Sequence, residues 1–310
     1  MKRIFLMFTV ALAATVMASA QDINKAIEAA NNGNEAFQMG EYELAIEAFK
    51  SSLAIAEELG EEGAEHASTC KTAICNIYLA HSKNLIKSSD FDGALAKLNE
   101  TITVAEGYGA EDTAADAKAL IPQVYMQKGN SALKAKNMPA AIEAYNKVCE
   151  IEPTNGDAYL RLGRAYAATG KLDEAVAAYE TAAVNGEETD AKKQLSTLFL
   201  KRAQASLKAG KNQEVIDFAT KANEYGENAN AHKLAASAAQ KMGNNALCIE
   251  FYEKYLAAKP DAKDASGVTF TIAALYQQLG NKAKAIENYE KVAADAQYGA
   301  QAQEQLKVLK

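Results

Sequence analysis

The chain has 310 residues, a formal net charge of −7, four prolines and no tryptophan, and it is rich in alanine. This acidity argues against general binding to nucleic acid, which requires a basic surface. Scarce proline and abundant alanine favour helix over nearly the whole length. The composition therefore predicts an all-α protein whose partner is not a nucleic acid.

The first twenty residues predict export. Lys2 and Arg3 form a basic start, an apolar run follows over residues 4–17, and small residues occupy positions 18–20. This is the pattern of a cleaved secretory signal peptide. The apolar run is shorter than the roughly 20 residues that span a bilayer as a helix. We expect residues 1–20 to be removed, no membrane span in the mature chain, and a periplasmic protein, with an extracellular one as the alternative.

A short phrase recurs along the chain, in which polar residues lead to a small residue and then, four positions later, to a bulky one. The small residues are Ala45, Ala94, Ala141, Ala175, Val215, Cys248 and Ala285, and the residues four positions on are Phe49, Leu98, Tyr145, Tyr179, Ala219, Tyr252 and Tyr289. An amphipathic stretch precedes each phrase. A phrase repeated at such a period indicates one helical unit stacked on copies of itself. Each unit is predicted to be helix A, a tight turn and helix B, packed closely where the small residue lies.

The spacing between phrases varies. The steps from Ala45 to Ala94 and from Ala94 to Ala141 exceed the step from Ala141 to Ala175. We therefore expect longer helices early in the chain. The repeats are predicted to begin near residues 26, 75, 122, 156, 196, 229 and 266 of one continuous domain, residues 21–310. Residues 300–310 are expected to form a helix that covers the last apolar face.

The fourth unit carries the most complete set of these residues: Tyr159, Leu162, Gly163, Tyr166, Gly170, Ala175, Tyr179 and Ala182. This order of bulky, small and aromatic residues resembles the tetratricopeptide repeat (TPR), and the resemblance extends over nearly all of residues 21–310. It implies an all-α solenoid, a right-handed superhelix of about seven TPR hairpins with a C-terminal capping helix. It also implies a protein that presents a surface to a partner and is not an enzyme.

The resemblance places a groove along the A helices. By position in the repeat, its candidate residues are Asn34, Phe37, Lys83, Lys87, Met126, Asn130, Lys134, Leu160, Arg164, Gln204, Lys208, Lys233 and Lys241. Lysine and arginine can hold carboxylates, and asparagine and glutamine can hydrogen-bond a peptide backbone. We therefore expect a protein or peptide partner, extended and acidic.

Two alternatives remain at this point. The lysines can be solvated residues that only keep the surface soluble. The protein can instead be a structural adaptor in envelope assembly or secretion that uses the solenoid ends or the convex face, with helix B residues such as Glu47, Glu143 and Glu180. The sequence does not indicate the oligomeric state.

Catalytic and cofactor signals are weak. His66 and Cys70 are four residues apart and can share a helix face, but two ligands do not make a closed metal site. No histidine lies in a recognisable motif with a serine or cysteine nucleophile. No cofactor and no metal are expected. Four cysteines, Cys70, Cys75, Cys149 and Cys248, are expected to be small buried thiols.

Overall fold

The computed structural model describes residues 22–310, and the predicted signal peptide, residues 1–20, lies outside them. Every regular element of residues 22–310 is helical. The helices are α1 (22–38), α2 (Tyr42–Glu58), α3 (Ala64–Lys87), α4 (Phe91–Gly107), α5 (Glu111–Lys134), α6 (Met138–Ile151), α7 (Gly156–Ala168), α8 (Leu172–Ala182), α9 (Glu188–Lys208), α10 (Asn212–Tyr225), α11 (Ala229–Lys241), α12 (Asn245–Ala258), α13 (Ala265–Gln278), α14 (Lys282–Val292) and α15 (Gly299–Leu309). They pair in chain order as α1/α2 to α13/α14, and α15 follows. The all-α fold of seven hairpins and a final helix is confirmed.

The helices group into two compact units. Unit 1 extends to Pro153 and contains α1–α6, and unit 2, Thr154–Lys310, contains α7–α15. No helix in the described part of the chain is both long and apolar enough to cross a membrane. The predicted domain boundaries and repeat starts stay predictions.

In three hairpins an aromatic ring of helix B lies directly over a glycine of helix A. A Cβ atom added to Gly129 would lie 2.5 Å from Tyr145, and one added to Gly163 would lie 2.6 Å from Tyr179. Gly33 has the same relation to Phe49. Both tyrosines are almost fully buried. The two backbones can approach closely because the glycine leaves the space that the ring fills.

The expected lengthening of the early hairpins is present. Helices α3 and α5 each have 24 residues, whereas α7 has 13 and α8 has 11. Helix α9 in unit 2 is also long, with 21 residues. Each long A helix has N-terminal turns beyond the part that crosses its helix B.

In unit 2, α15 covers the last hairpin as expected. Ala302 and Leu306 of α15 belong to one core cluster with Ala285, Tyr289 and Val292 of α14. The helix thereby removes an apolar face from water, which is the general role of a terminal cap in a repeat protein.

All four cysteines are buried and free, as expected for packing residues. Burial raises the pKa of Cys149 and of Cys248 to about 11. The thiolate form is therefore scarce near neutral pH, and these thiols are poor nucleophiles.

The turn between helix A and helix B of each hairpin contains a residue in the left-handed backbone conformation. Gly40, Gly170 and their equivalents in three more hairpins have φ between 73° and 80°. In unit 1 the same place is taken by Ser89, with φ of 63°, and by Lys136, with φ of 59°. A residue with a Cβ atom is strained there, by about 1–2 kcal/mol.

Replacing Gly129 by alanine is expected to destabilise unit 1 by up to about 2 kcal/mol. In a helix interior without such a contact, replacing glycine by alanine stabilises the helix by about 1 kcal/mol. Overpacking against buried Tyr145 costs about 1–3 kcal/mol. Urea unfolding followed by circular dichroism measures the change. The matched control is Gly107→Ala in α4, where nothing lies within 4 Å of the added Cβ. Equal stability of the two variants would contradict this account of the crossing.

Ser89→Gly and Lys136→Gly are each expected to stabilise the protein by about 0.5–1 kcal/mol. Relief of the left-handed strain exceeds the entropy cost of a glycine in the unfolded chain, which is about 0.5–1 kcal/mol. Thermal unfolding of each variant tests this, with Gly170→Ala as the reverse change, expected to destabilise. A lower melting temperature for both glycine variants would contradict the backbone strain inferred at these turns.

Candidate ligand-binding face

The A helices lie side by side within each unit. Helix α3 contacts α5 in unit 1, and in unit 2 α7 contacts α9 and α9 contacts α11. The candidate residues share one stripe along each of these helices, because they recur at intervals of three and four. We call this stripe the helix-A face and describe it separately for each unit.

In unit 1, most of the predicted residues are accessible. Asn34, Lys83, Lys87 and Lys134 are exposed, and Phe37 is 38% exposed, with its ring edge-on to Tyr42. Their side chains are therefore available to a ligand.

The other two predicted residues of unit 1, Met126 and Asn130, are half-buried. The hydroxyl of Tyr145 donates to Oδ1 of Asn130 at 2.9 Å. This bond fixes the orientation of the amide, and it also ties the buried ring at the helix crossing to the surface of α5.

In unit 2, the structure separates the predicted residues into two groups. Arg164, Gln204, Lys208 and Lys241 are exposed. Leu160 is only 3% exposed and lies in the core cluster with Ala175 and Tyr179. Leu160 therefore contributes to packing and presents little surface to a ligand.

Lys233 is already engaged within unit 2. Its Nζ pairs with a carboxylate oxygen of Asp264, just before α13, and lies 5.5 Å from the ring centre of Tyr255. The Tyr255 hydroxyl donates to the other oxygen of Asp264 at 2.6 Å. Lys233 and this hydroxyl hold the pKa of Asp264 below its ordinary value. The trio links α11, α12 and the start of α13, so Lys233 has a structural partner.

Four of the predicted lysines share one structural position, the C-terminal end of an A helix, which the sequence analysis did not identify. Lys87, Lys134, Lys208 and Lys241 are the last residues of α3, α5, α9 and α11. A cation at a helix C-terminus is favoured by the helix dipole, by about 0.3–1 kcal/mol. None of the four forms an ion pair with another residue among those described.

The structure adds a recess in unit 1 that was not predicted. It has a volume of about 570 Å³ and lies beside the N-terminal turns of α3, where Ser68, Lys71 and Thr72 face the joint at Tyr108 and Gly109. Ser68 and Thr72 continue the stripe of Lys83 at helical spacing. Lys71 is paired with Glu57 at 2.8 Å, and this contact raises the pKa of Lys71.

A corresponding recess lies in unit 2 and has a volume of about 620 Å³. Thr189, Lys193 and Thr197 of α9 line it, opposite the joint at Tyr225 and Gly226. The length of α9 and of α3 produces both recesses. The early lengthening was a usable sequence signal for the first of them.

Ser52, His66 and Cys70 come together in unit 1. The Ser52 hydroxyl donates to the carbonyl of Ala26 at 2.6 Å, and the Cys70 thiol lies 3.3 Å from Ser52 Oγ. His66 Nε2 lies 2.8 Å from the same oxygen. Since the single hydroxyl proton goes to Ala26, Nε2 of His66 must donate and cannot act as a base toward Ser52. Ser52 and Cys70 are fully buried, so the cluster is a packing contact.

The predicted pair of His66 and Cys70 gains no further metal ligand. Within residues 22–310, no group of three or more histidine, cysteine, aspartate or glutamate side chains is arranged to hold a metal ion.

Two segments of the chain match models of a known repeat family. Residues 132–191 match one model of the tetratricopeptide repeat, and residues 269–294 match another. These two segments are similar to tetratricopeptide repeats. The first TPR-like segment includes the Gly163–Tyr179 contact, and the second covers most of α13 and all of α14. Helical TPR hairpins typically serve as interaction surfaces, and nothing in the described residues is a positive sign of catalysis.

Several solved structures are similar to parts of the chain. The crystal structure of MamA is 22% identical, with 57% of this chain and 95% of MamA covered and a TM-score of 0.31. YrrB, a TPR protein with an unusual peptide-binding site, is 18% identical, with 58% and 91% covered and a TM-score of 0.31. The TPR2AB domain of yeast Sti1 in complex with pHSP90 is 17% identical, with 92% and 96% covered and a TM-score of 0.34.

These TM-scores are too low to transfer a ligand or an assembly to this chain. Among curated proteins, none matches it.

Proposed function

We propose that this protein is a non-enzymatic interaction scaffold that binds an extended, acidic polypeptide along its helix-A face. The observation that supports this proposal is a set of exposed lysines on the A helices that have no ion-pair partner among the described residues. The set comprises Lys83, Lys87, Lys134, Lys208 and Lys241. In a chain of net charge −7, these five unpaired cations lie on the helix-A face, where positive groups attract a partner of opposite charge.

The chemistry fits a carboxylate-rich chain better than a single small anion. Each exposed ammonium–carboxylate pair contributes only about 0–1 kcal/mol, so useful affinity requires several pairs at once. Half-buried Met126 and the partly exposed ring of Phe37 supply apolar contacts on the same face of unit 1. An extended polypeptide can use both kinds of contact, because its side chains alternate in direction.

The position of the lysines at helix ends gives them a second role. A cation there favours the helix by about 0.3–1 kcal/mol whether or not a ligand is bound. Lys83 lies one turn before the end of α3, where this effect is weaker. Loss of binding in a Lys83 variant would therefore report on the ligand and hardly on the helix.

The combined variant Lys87→Gln, Lys134→Gln and Lys208→Gln tests the proposed function. It is expected to bind a labelled peptide of Asp, Glu, Ser and Leu about tenfold more weakly, because three exposed pairs together contribute about 1–1.5 kcal/mol. The dependence of affinity on NaCl concentration should also flatten. Fluorescence polarisation measures both. Lys83→Gln should weaken binding with unchanged stability.

The matched control removes three exposed lysines elsewhere, Lys259, Lys282 and Lys307, and changes the net charge by the same amount. It should bind as the unmodified protein does. Equal affinity of the two triple variants for the acidic peptide would contradict the helix-A face as the binding surface. Stronger binding of a lysine-rich peptide of the same length would contradict the acidic partner.

We further propose that the protein is exported to the periplasm, or alternatively to the extracellular space, after cleavage behind Ala20. The basic start, apolar run and small residues of positions 1–20 support this. Expression of the full chain in a bacterium with two membranes, followed by fractionation and intact-mass measurement, is expected to give a periplasmic product that begins at Gln21. An uncleaved product in the cytoplasm would contradict it.

A further inference from the structure

Unit 2 contains a cavity that is not part of the proposed binding surface on the helix-A face. It has a volume of about 350 Å³ and lies between α7, α8, α9 and α10. Its apolar wall consists of Ala167, Leu172, Leu198, Ala205 and Phe218, and Lys201 and Arg202 lie beside them. Pockets that hold ligands have volumes of roughly 300–1,000 Å³ and are mostly apolar with a few fixed polar groups. This cavity has that composition at the lower end of that range.

Arg202 is held in place before any ligand arrives. Its guanidinium carbon lies 4.6 Å from the ring centre of Phe218 and 5.9 Å from that of Phe199. Phe199 in turn stacks on Tyr225, with ring centres 5.8 Å apart and planes nearly parallel. A guanidinium stacked in this way loses little conformational freedom when it binds a carboxylate.

The present partner of Arg202 is easily replaced. Nη1 of Arg202 donates to Oδ1 of Asp173 at 3.1 Å, and the Asp173 side chain is 88% exposed. Ion pairs with so much exposure to water add little net stability. A carboxylate brought by a ligand can therefore exchange with Asp173.

The other charges of the cavity leave a positive excess. Glu214 accepts from Lys211 at 2.9 Å and from the Ser206 hydroxyl at 2.9 Å, so its charge is already balanced. Lys201 is exposed and forms no ion pair with another described residue. The edge of the cavity thus attracts a negative group while its wall attracts an apolar one.

The cavity adjoins the helix-A face. Ala167 lies three residues after Arg164 on α7, and Lys201 lies three residues before Gln204 on α9, so each shares a helix side with a residue of that face. A polypeptide on the helix-A face of unit 2 can therefore place one side chain in the cavity without leaving that face.

We propose that this cavity is an anchor pocket for one leucine or phenylalanine side chain of the bound polypeptide, and that Arg202 holds the carboxylate of an adjacent aspartate or glutamate. The proposal rests on the proposed function and specifies the ligand of that surface. The anchor and its acidic neighbour would set the register of an otherwise repetitive acidic chain.

The test uses the full chain and two labelled peptides of Asp, Ser and Gly, one with a central Leu-Asp pair and one with Ser-Asp there. We expect the Leu-Asp peptide to bind about tenfold more tightly by fluorescence polarisation. Ala205→Phe, which fills the cavity from an exposed position, should abolish this preference, and Arg202→Gln should weaken the binding of both peptides, because both carry the aspartate. The matched controls are Ala257→Phe, at an exposed position of α12, which should retain the preference, and Arg161→Gln on α7, which should retain the affinity for both peptides.

Circular dichroism and thermal unfolding confirm that each variant is folded. Equal binding of the two peptides to the unmodified protein would overturn the anchor pocket, as would a retained preference in folded Ala205→Phe. If acidic peptides bind without this preference, and the triple lysine variant binds them more weakly, the anchor-pocket proposal is wrong and the scaffold proposal is supported. If no peptide binds, both proposals fail.

Discussion

The close crossing of helix A and helix B is the contact on which the rest of the structure depends. In three of the seven hairpins it places a glycine of helix A, such as Gly129, under a ring of helix B, such as Tyr145. Because the ring fills the space that the glycine leaves, the close packing of such a hairpin fixes how helix A is turned relative to helix B. That packing decides which stripe of helix A faces water, and so it determines where the lysines and amides lie.

The same crossing connects the core to the surface. The Tyr145 hydroxyl reaches Asn130 on the helix-A face, and in the last hairpin the Tyr289 hydroxyl reaches Gln277 at 2.9 Å. A surface amide is thereby fixed by a buried ring. Polar groups that are held before a ligand arrives lose less entropy on binding, which is one reason why a rigid helical stack suits recognition.

The sequence was informative about the hairpins because close packing restricts residue type at a fixed period, as at Ala141, Gly163 and Tyr179. It was less informative about accessibility. Nothing local marks Leu160 as buried, since its cover comes from other helices, and the partner of Lys233 lies 31 residues away. The recesses depend on joints between helices, and only the lengthened early repeats pointed to the first of them. The cavity at Arg202 depends on four helices at once, so the position of a residue within its repeat could not reveal it.

The four buried thiols lie in three different hairpins: Cys70 and Cys75 in α3, Cys149 in α6 and Cys248 in α12. An alkylating reagent can reach such a sulfur only when its hairpin opens. The native cysteines therefore report on local opening in three hairpins, without an introduced probe. Their alkylation rates would rank these hairpins by how often each one opens.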